Sequence, residues 1–152
     1  MITDIDTISR LLVAFALGGL IGLEREKKGR SAGLRTHILV CVGSTIIMLT
    51  SLYLFQIYQG KVVVDPGRIA AGVVTGIGFL GAGTIIRSAE GVRGLTTAAS
   101  IWVSSSIGLA VGCGYWVAAL GGTVITYLTL YFLKHIEKKL EIFDPKEHRG
   151  GE

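Results

Sequence analysis

The stretch GLTTAASIWVSSSIGLAVGCGYWVAALGGTVITYLTLYFL, Gly94 to Leu133, runs for 40 residues without a charged side chain. As a single helix it would measure about 60 Å, twice the hydrocarbon thickness of a bilayer. It must therefore divide into two spans. Gly112-Cys113-Gly114 is the best place for the division, because glycine accepts the backbone angles of a tight turn.

Upstream the same pattern recurs. Ile69 to Ile86 and Ile38 to Tyr58 carry no charge, and Ile8 to Leu23 carries only Arg10 near one end. The sequence thus predicts an all-α integral membrane protein, a glycine-rich bundle of about five transmembrane helices. The spans are about 8–23, 38–58, 69–86, 95–112 and 115–133, and a basic tail covers 134–152. Composition agrees. Half of the 152 residues are hydrophobic and only 17% are charged, against about 25% in a soluble domain. Mean hydropathy is +0.59.

Five spans put the termini on opposite sides. With the N-terminus outside, the inner segments hold twelve Lys and Arg residues: five in the first loop, two in the third and five in the tail. The outer segments hold Arg10, Lys61 and Arg68. That bias predicts N-outside, C-inside. It also explains the net charge of +4 through topology, so no nucleic-acid partner is expected. The N-terminus lacks a basic region before its first apolar run, which argues against a removable signal peptide. Cys41 and Cys113 should lie at opposite ends of the bundle and cannot pair. Tyr115, Trp116, Tyr127 and Tyr131 are candidate anchors at the ends of the last helix.

The segment GIGFLGAG, Gly76 to Gly83, matches G-x-G-x-x-G. A dinucleotide loop needs a preceding strand and an acidic residue about 20 positions on. The positions near 100 read AASIWVSS, so the requirement fails. In a membrane, small residues let helices approach closely, and spacings of four recur here: Ala14/Gly18/Gly22, Gly72/Gly76, Gly78/Ala82, Ser104/Gly108/Gly112 and Ala118/Gly122/Thr126. Gly76, Gly78, Gly81 and Gly83 are therefore read as a packing surface in a tight bundle. Their density also suggests a helix broken at mid-membrane, whose freed carbonyls could hold an ion.

Four ordered segments carry a resemblance: GGLIGLEREKKGR (Gly18 to Arg30), AGLRTH (Ala32 to His37), DPGRIAAGVVTGIGFLGAG (Asp65 to Gly83) and VRGLTTAASIW (Val92 to Trp102). Together they resemble the MgtC/SapB family of small bacterial membrane proteins, over about residues 8 to 133. The resemblance implies a multi-pass inner-membrane protein without known catalysis, linked to magnesium homeostasis. It implies action as a modulator of other membrane machines, such as the ATP synthase or magnesium transporters; direct ion transport is the alternative. Many relatives carry a soluble domain after the last helix, and this chain stops some 19 residues after Leu133. Gly72 departs from the larger polar residue expected there.

The polar residues have two readings each. Asp65 is well placed to cap the third helix ahead of Pro66, or to form an outward-facing cation site for magnesium, with Arg68 as a possible ion-pair partner. Glu24, Arg25 and Arg35, with Glu26 and His37, are either interfacial anchors or a buried cluster joining the first two helices. Arg87, Glu90 and Arg93 read as a short solvated turn, or as groups that face Glu24 or Glu26 and knit the inner face together. Thr97, Ser100 and Ser104 share a face of the fourth helix, next to Thr96. They either bond across helices or line a hydrophilic path. No nucleophile has an obvious base, no cofactor is expected beyond a possible divalent cation, and surplus small faces suggest a homodimer or larger oligomer. The lipid bilayer and possibly another membrane protein are the remaining partners.

Overall fold

A computed structural model describes residues 2–89 and 91–141, with side chains described through residue 132. The tail beyond 141 and Glu90 lie outside the described residues. Five helices follow one another: α1 (Asp4–Lys27), α2 (Leu34–Tyr58), α3 (Pro66–Ala82), α4 (Leu95–Cys113) and α5 (Trp116–Glu141). A short antiparallel hairpin, β1 (Ile86–Ser88) and β2 (Gly91–Arg93), joins α3 to α4. The expected turn around Arg87 and Arg93 is this hairpin, with Ile86 opposite Arg93. By length and composition α1, α2 and α4 can each cross a membrane, while α3 and Trp116–Phe132 are shorter apolar helices.

The helix ends follow from local sequence. Thr3 and Asp6 form a reciprocal capping box at the start of α1. Gly29 turns left-handed (φ 62°) after α1, and its neighbour Arg30 donates its N–H back to the Arg25 carbonyl at 3.1 Å. Together with Gly29 N–H to Glu26 O at 2.9 Å, this is a Schellman closure. Gly114 (φ 81°) ends α4 in the same way, with Tyr115 N–H reaching Ala110 O at 2.9 Å. The long uncharged stretch thus divides at Gly114-Tyr115, and Gly112 stays within the helix. Arg10 reaches across from α1 and donates to Gly112 O at 2.6 Å, satisfying a carbonyl left open at the α4 C-terminus.

The centre of the bundle is α1, α2 and α4, with α3 packed on α2 and α4, and α5 on α4 and α1. Backbones meet where glycine permits. A Cβ at Gly18 would lie 2.8 Å from the His37 carbonyl oxygen, and one at Gly22 2.7 Å from the Leu34 Cα. A Cβ at Gly112 would lie 2.6 Å from that of Met48, and one at Gly108 would run into the Cys41 carbonyl. Ala14, Leu17, Ile21, Cys41, Ile107 and Val111 fill the space between these contacts. Leu12, Phe15, Leu20, Leu39, Ile46, Leu120 and Val124 point outward, as side chains facing acyl chains must.

Two expectations for the third helix are corrected. It is a continuous α-helix from Pro66 to Ala82, not a broken one, and among the described residues no atom lies within 4 Å of a Cβ added at Gly76 or Gly78. Only Gly81 is buried against a neighbouring helix, at Ala98, while Gly83 caps the helix end. The glycines that close-pack are those of α1 and α4. The span predicted for 69–86 also ends early, because Gly83 stops the helix and the hairpin begins at Ile86.

Candidate functional site

Polar side chains converge at the end of the bundle where α1 finishes and α2 and α4 begin. Glu24 and Arg25 are 5% and 4% exposed, so they are buried rather than interfacial. The Arg25 guanidinium crosses to α4 and donates from Nη2 to Thr97 Oγ1 at 2.8 Å. Ser100 Oγ donates to Thr97 O at 2.8 Å and lies 3.1 Å from His37 Nε2. The opposite ring nitrogen, Nδ1, is 2.8 Å from Gly33 O. A carbonyl only accepts, so Nδ1 carries a proton.

Buried ionised groups are costly unless paired. Glu24 forms an ion pair with Lys28 one turn later. Lys28 Nζ also donates to Leu130 O at 2.7 Å and lies 5.4 Å from the Tyr131 ring centre, so it ties α1 to α5. Arg25 Nε is buried and has no hydrogen-bond acceptor among the described residues. Glu26 Oε2 accepts the Leu34 N–H at 2.9 Å and caps α2, whose own N-cap residue is Gly33.

Further along the α2–α4 seam the side chains are hydroxyls. Ser44 and Ser105 are 2.8 Å apart, and Thr45 Oγ1 lies within 2.9 Å of both Cys41 O and Gly108 O. Ser104 is fully buried without a side-chain partner among the described residues.

The predicted site residues therefore separate into groups. Glu24, Arg25, Thr97 and Ser100 come together, and Ser104 continues their face. Arg35 does not join them. The inward face of α2 holds His37, Cys41, Ser44, Thr45 and Met48, and Arg35 sits two residues, about 200° of helix rotation, away from His37. Thr96 is exposed beside Thr97. Arg93 lies in β2, next to the start of α4. Asp65 caps α3, accepting from Gly67 N–H at 2.8 Å, with Pro66 at the first helical position. Arg68 forms no ion pair with Asp65. Among the described residues no group of three or more His, Cys, Asp or Glu side chains could hold a metal ion, so Asp65 has no companion ligands there. The G-x-G-x-x-G match lies inside α3, with no strand before it.

Three contributors were missed in the sequence. Lys28 was counted only as a loop charge, although it sits four residues from Glu24. Ser44 and Thr45 share the 3–4 spacing of His37 and Cys41, a signal that was present. Of the two readings of His37, interfacial or buried, the structure has the second: it is wholly buried and sits beside a serine. That Ser100–His37 pair is not a nucleophile and base of the usual kind. Both are buried, and the second ring nitrogen is held by a backbone carbonyl rather than a carboxylate.

Two cavities flank this seam. One, of about 500 Å³, is an apolar groove between α2 and α3, floored by Gly43, Gly72 and Gly76 between Leu39, Ile47, Ile69 and Leu80. The other, of about 430 Å³, opens at the polar end beside Arg25, Lys28 and Arg30.

These features define a class: a small all-α membrane protein with a glycine-sealed three-helix centre and a buried charged cluster at one end. The MgtC family profile matches residues 11–139, and the chain belongs to that family. It is 46% identical over 125 residues to YhiD of Escherichia coli strain K12, a candidate magnesium transporter by its description. That match covers 81% of this chain and 58% of YhiD. It is 43% identical over 133 residues to MgtC of Salmonella typhimurium strain LT2, covering 88% of this chain and 54% of MgtC. SrpB of Synechococcus elongatus is 39% identical over 137 residues, covering 85% of this chain and 75% of SrpB. The chain thus spans little more than half the length of YhiD and MgtC. No solved structure matches.

Proposed function

We propose that this chain is a non-enzymatic, multi-pass protein of the bacterial inner membrane that serves magnesium homeostasis by binding other membrane proteins. Targets of the kind the family resemblance suggests are an ATP synthase or a magnesium transporter. The positive-charge bias supports an N-outside, C-inside orientation. The observation that carries the reading is the α2–α3 groove. It is apolar, and an added Cβ at its glycines would meet no atom of the described residues within 4 Å, so a transmembrane helix of a partner can approach the backbone closely there.

The description of YhiD favours a second reading, magnesium transport by the chain itself. A path along α4 would use Thr97, Ser100 and Ser104, and all three are buried against neighbouring helices. That packing supports the binding reading over transport. The test is cation flux in liposomes holding only the purified protein, with an imposed potential. Folded protein is expected to pass no magnesium. Magnesium flux abolished by Ser100→Val would overturn the proposal in favour of transport. Replacing Gly76 with Leu should fill the groove and abolish crosslinking to the partner in native membranes while leaving the bundle folded.

A further inference from the structure

The cavity at the polar end has a composition that the binding reading does not use. Its lining includes the cations Arg25, Lys28 and Arg30 and the hydroxyls of Thr96, Thr97 and Thr129. Among the described residues no carboxylate lines it. Glu24, just behind it, pairs with Lys28, so one of the three charges is balanced locally. Arg25 and Arg30 remain without a described carboxylate partner. The Schellman turn at Gly29 brings them together, since it folds Arg30 back onto the Arg25 carbonyl. Arg30 is exposed to solvent while Arg25 is buried, so the two guanidiniums present positive charge to one cavity from its rim and its wall.

Two further observations point the same way. Arg25 is 4% exposed, lines the cavity, and has a buried Nε with no acceptor among the described residues. The cavity also contains the N-terminus of α4, a helix of 19 residues. Its N-cap is Gly94, which supplies no side-chain cap, and Ala98 N–H makes the first intrahelical bond, to Gly94 O. Among the described residues the N–H groups of Leu95, Thr96 and Thr97 have no acceptor, and they sit at the positive end of the helix dipole. A divalent cation is excluded from the same place by the three positive side chains.

We propose that this cavity binds a phosphate group, seated between the guanidiniums of Arg25 and Arg30 and the first turn of α4. Guanidinium forks and helix N-termini both match the geometry of phosphate oxygens. The group can come from free phosphate or from a phospholipid headgroup, since the site lies where the apolar spans end. The site stands independently of the partner-binding reading above.

The test uses the whole chain purified in a maltoside detergent, which contains no phosphate. Thermal unfolding is followed while sodium phosphate is added, against sodium chloride at matched ionic strength. In a second arm, native mass spectrometry measures retention of phosphatidylglycerol against diacylglycerol, which lacks the phosphate. Each arm is repeated with Arg30→Gln, chosen because Arg30 is exposed, and with the ligand-free unfolding temperature as a separate readout of folding. Loss of one charge-assisted contact should weaken binding about tenfold. Stabilisation by phosphate identifies a free anion, and selective retention of phosphatidylglycerol identifies a headgroup; either one supports the site when Arg30→Gln weakens it. No effect in both arms, an equal effect of chloride, or binding unaltered in Arg30→Gln overturns it.

Discussion

Gly108 is where the packing of this bundle is most exposed to a single atom. Replacing it with Ala adds one methyl group, which would occupy the space of the Cys41 carbonyl and come within 2.9 Å of Ser44 Cβ. Neither can rotate away, because the carbonyl is α2 backbone and Ser44 is held by Ser105 at 2.8 Å. α2 and α4 must therefore separate. Overpacking of this kind costs about 1–3 kcal/mol. Separation also stretches the Thr45 Oγ1 bond to Gly108 O, now 2.8 Å, and an interhelical bond in a membrane contributes about 0.6 kcal/mol. The combined loss is about 1.6–3.6 kcal/mol, or a fall in unfolding temperature of about 3–14 °C for a chain of this size. Gly78→Ala is the control, since nothing among the described residues lies within 4 Å of its added methyl. Thermal unfolding of both variants in the same detergent decides the matter. If Gly108→Ala melts with the wild type, α2 and α4 do not approach as closely as described.

The buried cluster yields a double-mutant cycle. Lys28→Met leaves Glu24 buried and uncompensated, an expected loss of about 3–5 kcal/mol, and adding Glu24→Gln should restore most of it; unfolding of the single and double variants would refute the pairing if the losses simply add. Asp65→Ser should retain nearly full stability and Asp65→Ala should lose about 1 kcal/mol, as a helix cap requires; equal unfolding temperatures for the two would show that Asp65 does something else. Arg10→Leu removes the donor to Gly112 O, and an expected loss of about 1–2 kcal/mol would be read by the same melt.

The sequence was enough for the architecture because membrane insertion is governed by the length of uncharged runs. Forty residues from Gly94 to Leu133 could not be one span, and Gly112-Cys113-Gly114 offered the turn, which the left-handed Gly114 makes. Asp65-Pro66 announced its own helix start for an equally local reason, since a cap needs only the residues beside it. What the sequence left open was rotation. Small residues spaced by four occur in α1, α3, α4 and α5, and spacing alone does not say which stripe meets a neighbour. The fold turned Gly18, Gly22, Gly108 and Gly112 inward and left Gly72 and Gly76 on an open groove. Rotation likewise put His37 at the centre and Arg35 outside, only two residues apart. The meeting of Arg25 with Thr97, 72 positions later, belongs to the tertiary structure alone. A buried charge is tolerable only beside its partner, and only the packed bundle decides which groups are neighbours.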